Sequence, residues 1–450
     1  MIACLSPIRY RSVVMFGARR GAWRRSALFF LVWGGVAAGS LRAVVGCAAP
    51  YAGSDAFDAT DLPPKKDSGD VMLGDAVAGG EAGCGQAICM TQLSLGGSFG
   101  CALGDDTIVR CWGDNDTGQT GSPDTAPSQA PRAVGGLGPV KQITTGTRHA
   151  CALQMDGKVL CWGDDEHGLV SGTPGLTAKP SPFEIPGLLR PVAKIIAISD
   201  HQCAILDNAD LYCWGNNEYG QLGVANVDGG DPVKSIPRPT LTLATVVQVG
   251  GCEETTCALR TSGQVSCVGR NFSGDLGNNT SDLNPHPSPV TVTGLLSPVG
   301  QLASGTGYHI AVALSDGRVQ GWGSNARNAL VPTPGVFQIM TATLIPGISS
   351  VVEVAAGGYF TCARSTGGKI SCWGDNSGGQ TGVVYDGGAN TAPPKEVPGV
   401  SAADRIAVGR TAFACAITAG KIVCWGNNDK GQLGRGSLGG SFPMAAKIQL

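Results

Sequence analysis

Short runs of apolar and β-branched residues, each ending at glycine, recur along the chain. Two of them are VKQITTG at 140–146 and VVEVAAG at 351–357. After each run come a segment similar to HACAL, a turn, a second apolar run such as KVLCWG, and a polar loop such as NNEYGQLG at 216–223. A proline-bearing segment ends the unit, as at 131–137. Runs of this length and spacing predict four short β-strands in each unit.

The tripeptide CWG marks each unit. It stands at 111–113, 161–163, 213–215, 372–374 and 424–426, with the variants CVG at 267–269 and GWG at 321–323. Successive copies are 50, 52, 54, 54, 51 and 52 residues apart, so seven units fill 91–450. This repeat predicts an all-β fold, a seven-bladed β-propeller. A solenoid is the alternative, but its end repeats would be atypical, and here they are ordinary. We expect the closed ring to leave no exposed sheet edge.

Composition agrees with many short strands and tight turns, since Gly accounts for 69 of 450 residues and aromatic residues for only 6%. The net charge of −2 gives no basic field for nucleic acid. The 17 cysteines are too many for an ordinary cytosolic enzyme. They indicate either metal binding or an oxidising compartment.

Six units carry two cysteines on either side of a predicted turn. The pairs are Cys101 with Cys111, Cys151 with Cys161, Cys203 with Cys213, Cys257 with Cys267, Cys362 with Cys372, and Cys415 with Cys424. In the fifth unit both are replaced together, by Ala311 and Gly321. Independent buried thiols would more often be lost singly, so the joint loss indicates bonded partners.

Turn geometry supports the pairing. Cys151 and Cys161 are centred on Asp156, which fits a three-residue loop over 155–157. Cys415 and Cys424 are one residue closer and centre on a two-residue loop, 419–420. In both hairpins the cysteines face each other, at a distance that a disulfide tolerates. We predict six disulfides within hairpins. Zinc is disfavoured because its four ligands must converge, and Cys252, which has no repeat partner, is expected to be a buried or free thiol.

The N-terminus predicts export. Residues 1–25 contain six arginines and no acidic residue, and an apolar run of about fifteen follows at 26–40. That run is short for a membrane span, which needs about 20 residues, so we expect a lipoprotein-type signal over 1–46. VVGC at 44–47 resembles a bacterial lipobox, which implies lipidation of Cys47. Ordinary cleavage nearby or an uncleaved anchor are the alternatives, and all three place the chain outside the cytoplasm.

A flexible tether is predicted over 47–90, since this stretch is rich in Ala, Gly, Asp and Pro and lacks a periodic apolar pattern. Cys84 and Cys89 lie at its end and are a further candidate pair. The propeller then occupies 91–450.

The pattern H-x-C-A-L, then DG-x-V-x-CWG-x-N-x-x-GQLG, is clearest at 149–165, 211–223 and 422–434. It resembles the regulator of chromosome condensation (RCC1) type repeat, in a bacterial secreted form, over about 360 residues. The resemblance implies a seven-bladed propeller. The family includes a nucleotide-exchange factor for a small GTPase and a secreted inhibitor of β-lactamase. The cysteine pairs depart from cytosolic members and fit an exported variant.

The histidines, polar loops and tryptophans that recur in the repeat are better explained by packing and local hydrogen bonds than by a reactive or ligand-binding site. His149, His201 and His309 share one repeat position but lie in different units, so we expect packing and hydrogen bonding rather than a metal site. The loops at 114–121, 375–382 and 427–434 lack EF-hand spacing, and Asx side chains that bond their own backbone explain them. Six tryptophans at one strand position favour packing between blades over a carbohydrate platform: Trp112, Trp162, Trp214, Trp322, Trp373 and Trp425. No catalytic motif stands out.

These observations predict a non-catalytic, extracytoplasmic protein-binding scaffold. We expect a monomer with no cofactor, no nucleic acid, an unidentified protein partner, and membrane contact only through the lipid anchor. The alternatives are a secreted glycan-acting propeller enzyme and an RCC1-like exchange regulator of a GTPase. The loops that vary most between units are the expected contact surface: 224–239, 278–289, 324–338 and 383–394.

Overall fold

The computed structural model describes residues 88–175, 178–224, 233–240, 245–303, 305, 307–333, 335–384 and 390–448. The predicted signal over 1–46, the lipidation site Cys47, Cys84 and nearly all of the tether lie outside these residues. Within the described part, no helix combines the length and hydropathy needed to cross a membrane. Apart from one short 3₁₀ turn, Ala326–Asn328, the residues that the structure describes form strands and loops.

The fold is the predicted seven-bladed propeller. Each blade is a four-stranded antiparallel sheet made from four consecutive strands. The strands are β1 Met90–Leu95, β2 Phe99–Gly104, β3 Val109–Gly113, β4 Ser128–Ala133; β5 Val140–Thr145, β6 His149–Gln154, β7 Val159–Gly163, β8 Lys179–Glu184; β9 Val192–Ile198, β10 His201–Leu206, β11 Leu211–Asn216, β12 Val233–Pro239; β13 Val246–Cys252, β14 Thr255–Arg260, β15 Val265–Asn271, β16 Asp282–Thr291; β17 Val299–Leu302, β18 His309–Leu314, β19 Val319–Ser324, β20 Gln338–Leu344; β21 Val351–Ala356, β22 Phe360–Ser365, β23 Ile370–Asp375, β24 Asn390–Glu396; β25 Ala403–Gly409, β26 Phe413–Thr418, β27 Lys421–Asn427 and β28 Ser441–Lys447.

The central hairpin of each blade has the register that the turn lengths predicted. Cys151 pairs with Cys161 across β6 and β7, around a three-residue turn. Cys415 pairs with Cys424 across β26 and β27, where Ala419 and Gly420 form the two-residue turn. Both turn residues have positive φ, 48° and 71°, as a type I′ turn requires.

Glutamines on the first strands join neighbouring blades. In β1 the Gln92 amide accepts a hydrogen bond from the Ile143 N–H (3.1 Å) and donates one to the Lys141 carbonyl (2.7 Å). Gln142 makes the same two bonds to Ile195, at 2.9 Å each. Gln248 and Gln301 bridge the next blades in the same way. The inner edge of a sheet has unpaired backbone groups, and these amides satisfy them.

Close backbone contacts form a second belt, where each first strand turns into the second. The Gly97 N–H donates to the Thr147 carbonyl of the next blade (3.0 Å), and the Thr147 N–H donates to Ser199 in turn. A Cβ atom at Gly96, the glycine that ends the first run of blade one, would lie only 2.5 Å from the Gly146 carbonyl oxygen of blade two. The glycines that end the first runs therefore allow adjacent backbones to approach.

Ring closure uses the same contacts, without a strand shared between the first and last blades. The Thr411 N–H of blade seven donates to the Gly97 carbonyl of blade one at 3.1 Å. The Trp112 indole donates to the Gln432 carbonyl at 2.9 Å. The interface between blades seven and one thus uses the same backbone and indole bonds as the interface between blades one and two.

The expectation of no exposed sheet edge was wrong, because each blade remains a separate sheet with an outer edge. In five blades, a proline precedes the outer-strand residue that faces the second cysteine: Pro131, Pro182, Pro237, Pro289 and Pro394. Blade five has Ala342 there, and its N–H bonds the Thr293 carbonyl of blade four at 3.0 Å. That N–H points out of the sheet, so proline removes an outward donor.

All four predicted variable loops overlap outer strands: 383–394 overlaps β24 from Asn390, and 324–338 ends at Gln338, the first residue of β20. The range 278–289 overlaps β16, which begins at Asp282, and 224–239 overlaps β12. Proline-rich sequence looked irregular because it breaks the apolar pattern, yet edge strands accept it.

Candidate functional site

The two faces of the ring are built from different connections. We call the loop face the side that carries the turns between first and second strands and the loops between third and fourth strands. The hairpin face carries the tight turns between second and third strands. Most strand side chains pack within or between the blades. Functional side chains are therefore expected on these connections.

All six predicted cysteine pairs are disulfide-bonded, with Cα–Cα separations of 4.0–4.1 Å. Each bond joins the second and third strands of one blade, and the side chains are fully buried inside the blades. The sulfur atoms therefore belong to the blade interiors and not to a reactive surface. The bonds are Cys101 to Cys111, Cys151 to Cys161, Cys203 to Cys213, Cys257 to Cys267, Cys362 to Cys372, and Cys415 to Cys424.

The cysteines outside the repeat pairs have different outcomes. Cys89 is also disulfide-bonded, and its expected partner Cys84 lies outside the described residues. Cys252 is a free, buried thiol, and burial raises its pKa. A buried thiol with a raised pKa is a poor nucleophile, so Cys252 offers no reactive site either.

Each of the three repeat-position histidines forms a hydrogen bond with a side chain of the next blade. His201 Nε2 lies 2.6 Å from Thr256 Oγ1, His309 Nε2 lies 2.7 Å from Thr361 Oγ1, and His149 Nε2 lies 3.4 Å from Gln202 Oε1. Burial lowers the pKa of His201 to about 3 and that of His309 to about 4. Neutral, separated imidazoles of this kind act as links between blades. Across the described residues no three His, Cys, Asp or Glu side chains group as metal ligands.

The polar loops bind their own backbone through one buried side chain. Asn115 Oδ1 accepts the Thr120 N–H at 2.9 Å, and Asn428 Oδ1 accepts the Leu433 N–H at 3.0 Å. The same bond, five residues along the chain, occurs in every blade. The other acceptors are Asp165, Asn217, Asn271, Asn325 and Asn376. These side chains hold the loop in shape, so the positions beside them are free to vary.

The tryptophans also link blades. The Trp162 indole donates to the Gln119 carbonyl (3.0 Å) and that of Trp425 to the Gln380 carbonyl (2.9 Å). All six rings are buried, so they provide packing and not an exposed platform. Trp373 differs, because its indole nitrogen has no partner where it faces blade five.

A cluster of charged and aromatic side chains covers the channel at the loop face. Arg410 of blade seven donates to Glu253 of blade four and to the Tyr308 hydroxyl of blade five, both at 2.6 Å. The Arg410 guanidinium also lies 5.1 Å from the Tyr308 ring centroid. The Tyr308 ring stacks on Tyr359 of blade six, with centroids 4.8 Å apart. Side chains from four blades thus meet across the axis.

Arg270 extends this cluster outward. It pairs with Glu254 at 2.5 Å and Glu253 at 3.7 Å, and lies 5.1 Å from the Phe272 ring. Burial raises the pKa of the Glu253 carboxyl, although Arg410 acts in the opposite direction. Phe272 is 53% exposed and Tyr359 is 40% exposed. We call Glu253, Arg270, Phe272, Tyr308, Tyr359 and Arg410 the mouth cluster.

Charge divides the loop face into two regions. Four positions of the loop face can be compared in every blade. The first is the residue directly before the second strand. The other three surround the buried Asn or Asp of the polar loop: the residue before it and the two residues after it. In blades seven, one, two and three these positions carry seven acidic and two basic side chains, a net charge of −5. The acidic residues, which we call the acidic arc, are Asp114, Asp116, Asp164, Glu166, Asp200, Glu218 and Asp429. In blades four, five and six the same positions carry two acidic and two basic side chains.

Comparison with known proteins agrees with the repeat pattern. Models of the regulator of chromosome condensation (RCC1) repeat match residues 109–153 and, in a second form, 140–169, 199–221 and 351–380. Protein pim1 of Schizosaccharomyces pombe is 26% identical over 214 residues, covering 44% of this chain and 39% of pim1. The RCC1-like G exchanging factor-like protein of Mus musculus is 27% identical over 281 residues, covering 58% of this chain and 59% of that protein. The chain therefore spans less than two thirds of either relative.

Solved structures share the fold. Prp20p of Saccharomyces cerevisiae superposes with a TM-score of 0.62 at 18% identity, over 71% of this chain and 80% of Prp20p. Human WBSCR16 superposes with a TM-score of 0.67 at 20% identity, over 76% and 95%. The repeat matches and the seven sheets agree. The chain is a propeller of RCC1-type repeats.

Sequence reasoning missed two features of this RCC1-type propeller. The bridging glutamines could have been found, because Gln recurs at the third position of the first strands in four of seven units. The mouth cluster could not, since Glu253 and Arg410 are 157 residues apart and no repeat position relates them. Variation at the residue before the second strand was a signal for Tyr308 and Tyr359 alone.

Proposed function

We propose that this RCC1-type propeller is a non-catalytic, extracytoplasmic protein-binding scaffold of a bacterial cell envelope. The observation that carries the proposal is the set of six disulfides buried in six blades. Disulfides in this number form and persist in oxidising compartments and are rare in the cytosol. The basic and apolar N-terminal sequence before residue 47 supports the same compartment.

Protein binding is supported by what remains free on the surface. The histidines, tryptophans, glutamines and buried Asx side chains are all used within or between blades. The loop face keeps exposed Phe272 and Tyr359 beside arginines, a composition that is enriched in protein interfaces. Prp20p, which shares the fold, is described with binding to Gsp1p and histones, and a second Prp20 structure contains Kap60.

A glycan-acting enzyme would need two available carboxyl groups and space for a sugar ring. The carboxyl groups that line the cavity of the mouth cluster are Glu253, Glu254 and Asp275. Glu253 and Glu254 are each bonded to an arginine, and Asp275 is buried and accepts a hydrogen bond from the Ser273 N–H at 3.0 Å. The cavity they share with Tyr308 has a volume of about 20 Å³, room for about one water molecule. These observations favour a binding role over hydrolysis.

Similarity to an exchange factor supports a second candidate, regulation of a GTPase. The two proposals differ in compartment, because such a regulator must meet a cytosolic GTPase. Intact mass of the protein from its native host, alkylated before and after reduction, separates them. We expect no alkylation of the twelve paired cysteines before reduction, full alkylation afterwards, and a diacylglyceryl mass on Cys47. Twelve free thiols and an intact residue 1 would exclude export and favour the regulator.

A further inference from the structure

We propose that the loop face holds its partner in two parts: the mouth cluster anchors an apolar or aromatic side chain, and the acidic arc binds a basic segment of the same partner protein. This inference rests on the proposed scaffold function and adds the chemistry of the partner. It assigns one side of the ring to binding.

The anchor lies on the half of the loop face formed by blades four, five and six, and Arg410 of blade seven reaches into it. Its side chains form one continuous contact series, from Phe272 through Arg270, Glu253 and Arg410 to Tyr308 and Tyr359. Ion pairs within the series hold the aromatic rings in place before any partner arrives. Pre-ordered Tyr, Phe and Arg groups lose little side-chain entropy on binding, which is why such residues dominate interface energetics.

The ion pairs also explain why the anchor itself is not selective for charge. Arg410 and Arg270 are matched by Glu253 and Glu254. A partner side chain that packs on Phe272 and Tyr359 therefore meets a locally neutral surface. Charge selection must come from elsewhere on the same face.

The acidic arc supplies this selection for charge. Arg148 and Lys430 pair with three of its members, Asp116, Asp164 and Asp114. The other four have no salt-bridge partner within the described part of the chain: Glu166, Asp200, Glu218 and Asp429. The corresponding positions in blades four to six have no net charge, so the repeat does not require acidity there. Complementary charge at an interface rim selects partners and speeds their encounter.

A peptide titration tests the charge rule on the full-length protein. The probe is a fluorescein-labelled nonapeptide of alternating lysine and glycine with a central phenylalanine, and its counterpart carries glutamate in place of lysine. We expect the lysine peptide to bind at least tenfold more tightly at low salt. Neutralising the arc with D116N, E166Q and E218Q should remove about a tenfold preference. The matched control D105N, E184Q and E396Q, on the hairpin face, should leave it intact.

Equal binding of both peptides, or equal loss in the arc and control variants, would overturn the proposal. Saturation of the arc by Ca²⁺ alone, with no difference between the peptides, would also overturn it, because the arc would then be a cation site.

Photocrosslinking in the native cell envelope tests the anchor. A benzoylphenylalanine replaces Phe272 on the loop face or, as a control, Leu189, which is 88% exposed on the hairpin face. We expect crosslinks from 272 to a protein segment rich in Lys or Arg, reduced at least fivefold in the arc variant. Crosslinks only from 189 would overturn the binding face but leave the scaffold function standing. No protein crosslink from either position would reject the scaffold function as well.

Discussion

Blade five forms the same four-stranded sheet as the other six blades, but its central hairpin is held by aliphatic side chains where theirs is held by a disulfide. In blade seven, Cys415 and Cys424 join the central hairpin covalently. In blade five, Ala311 faces Gly321, and Leu330 Cδ2 occupies the space that a Cβ at position 321 would need. Ile345 packs at the same point. One blade is closed by aliphatic packing and six by sulfur.

The polar loop of blade five also differs from those of the other blades. It lacks the usual Gly-Gln turn and forms a 3₁₀ turn at Ala326–Asn328. The Ala329 carbonyl there accepts the Thr361 hydroxyl at 2.7 Å. In most other blades the carbonyl at this position accepts an indole N–H. Trp373 therefore faces blade five without a hydrogen bond. Blade four has Val268 at the same position, so the ring closes with this indole bond missing at two interfaces.

Removing all six disulfides should have the largest effect. Each closed loop is worth about 2–3 kcal/mol of unfolding free energy. Protein produced under reducing conditions should lose amide-exchange protection most in the hairpins that contain cysteine pairs. The β18–β19 hairpin of blade five should change least, since it never depended on sulfur. Uniform loss across all seven hairpins, measured by hydrogen exchange, would contradict this.

Truncating the aliphatic packing is the matching test in blade five. L330A should cost about 2–5 kcal/mol, the usual range for a buried leucine. L433A, the equivalent change in disulfide-closed blade seven, is the control and should cost at least ~1 kcal/mol less. Chemical denaturation of both variants measures the difference. Equal losses would show that Leu330 does not replace the disulfide.

A seventh disulfide should form only when space is made for it. In the variant A311C/G321C the new Cβ at 321 overlaps Leu330, so we expect incomplete oxidation. Adding L330A removes this overlap and leaves the Ile310 carbonyl oxygen 2.8 Å from the new Cβ. We therefore expect the oxidised fraction to rise as the backbone shifts, and up to about 2–3 kcal/mol of the stability that L330A removes to return. Mass spectrometry after alkylation gives the oxidised fraction. Complete oxidation with Leu330 in place would mean that the leucine is not the obstacle.

Acid should destabilise the ring through its buried histidines. Burial lowers the pKa of His309 from 6.5 to about 4. Between these values the unfolded chain binds a proton that the folded chain does not, so stability falls as pH falls through this window. H309F copies the Phe413 of blade seven and should remove about 1–3 kcal/mol of the loss between pH 7 and 4. Unchanged pH dependence of unfolding would assign the loss to other groups.

The smallest effect concerns the missing indole bond. W425F removes the hydrogen bond to Gln380 as well as ring volume, whereas W373F removes ring volume only. W373F should therefore cost about 1 kcal/mol less than W425F. Thermal unfolding of the two variants measures this, and a larger loss for W373F would point to a partner for its indole.

The sequence predicted what lies within one unit and missed what lies between units. Cysteine spacing and turn length act over about ten residues, so Cys151 and Cys161 could be paired from the sequence alone. The bonds from Gln92 need blades one and two packed together, and the bond from Arg410 to blade four needs the ring to be closed. Most of the outer strand β16 was assigned to the variable loop 278–289 because its prolines break the expected alternation, although proline protects such an edge.

Because every sheet comes from one continuous stretch of chain, a blade can be inherited whole. A recombination point between two repeats would move four strands, their disulfide and their loop together. The new neighbours need only offer a glutamine, a close backbone and a carbonyl in the usual places. Blade five shows that such a module can lose its disulfide while the ring still closes. The loop face can change its binding specificity without any change to the contacts that hold the ring together.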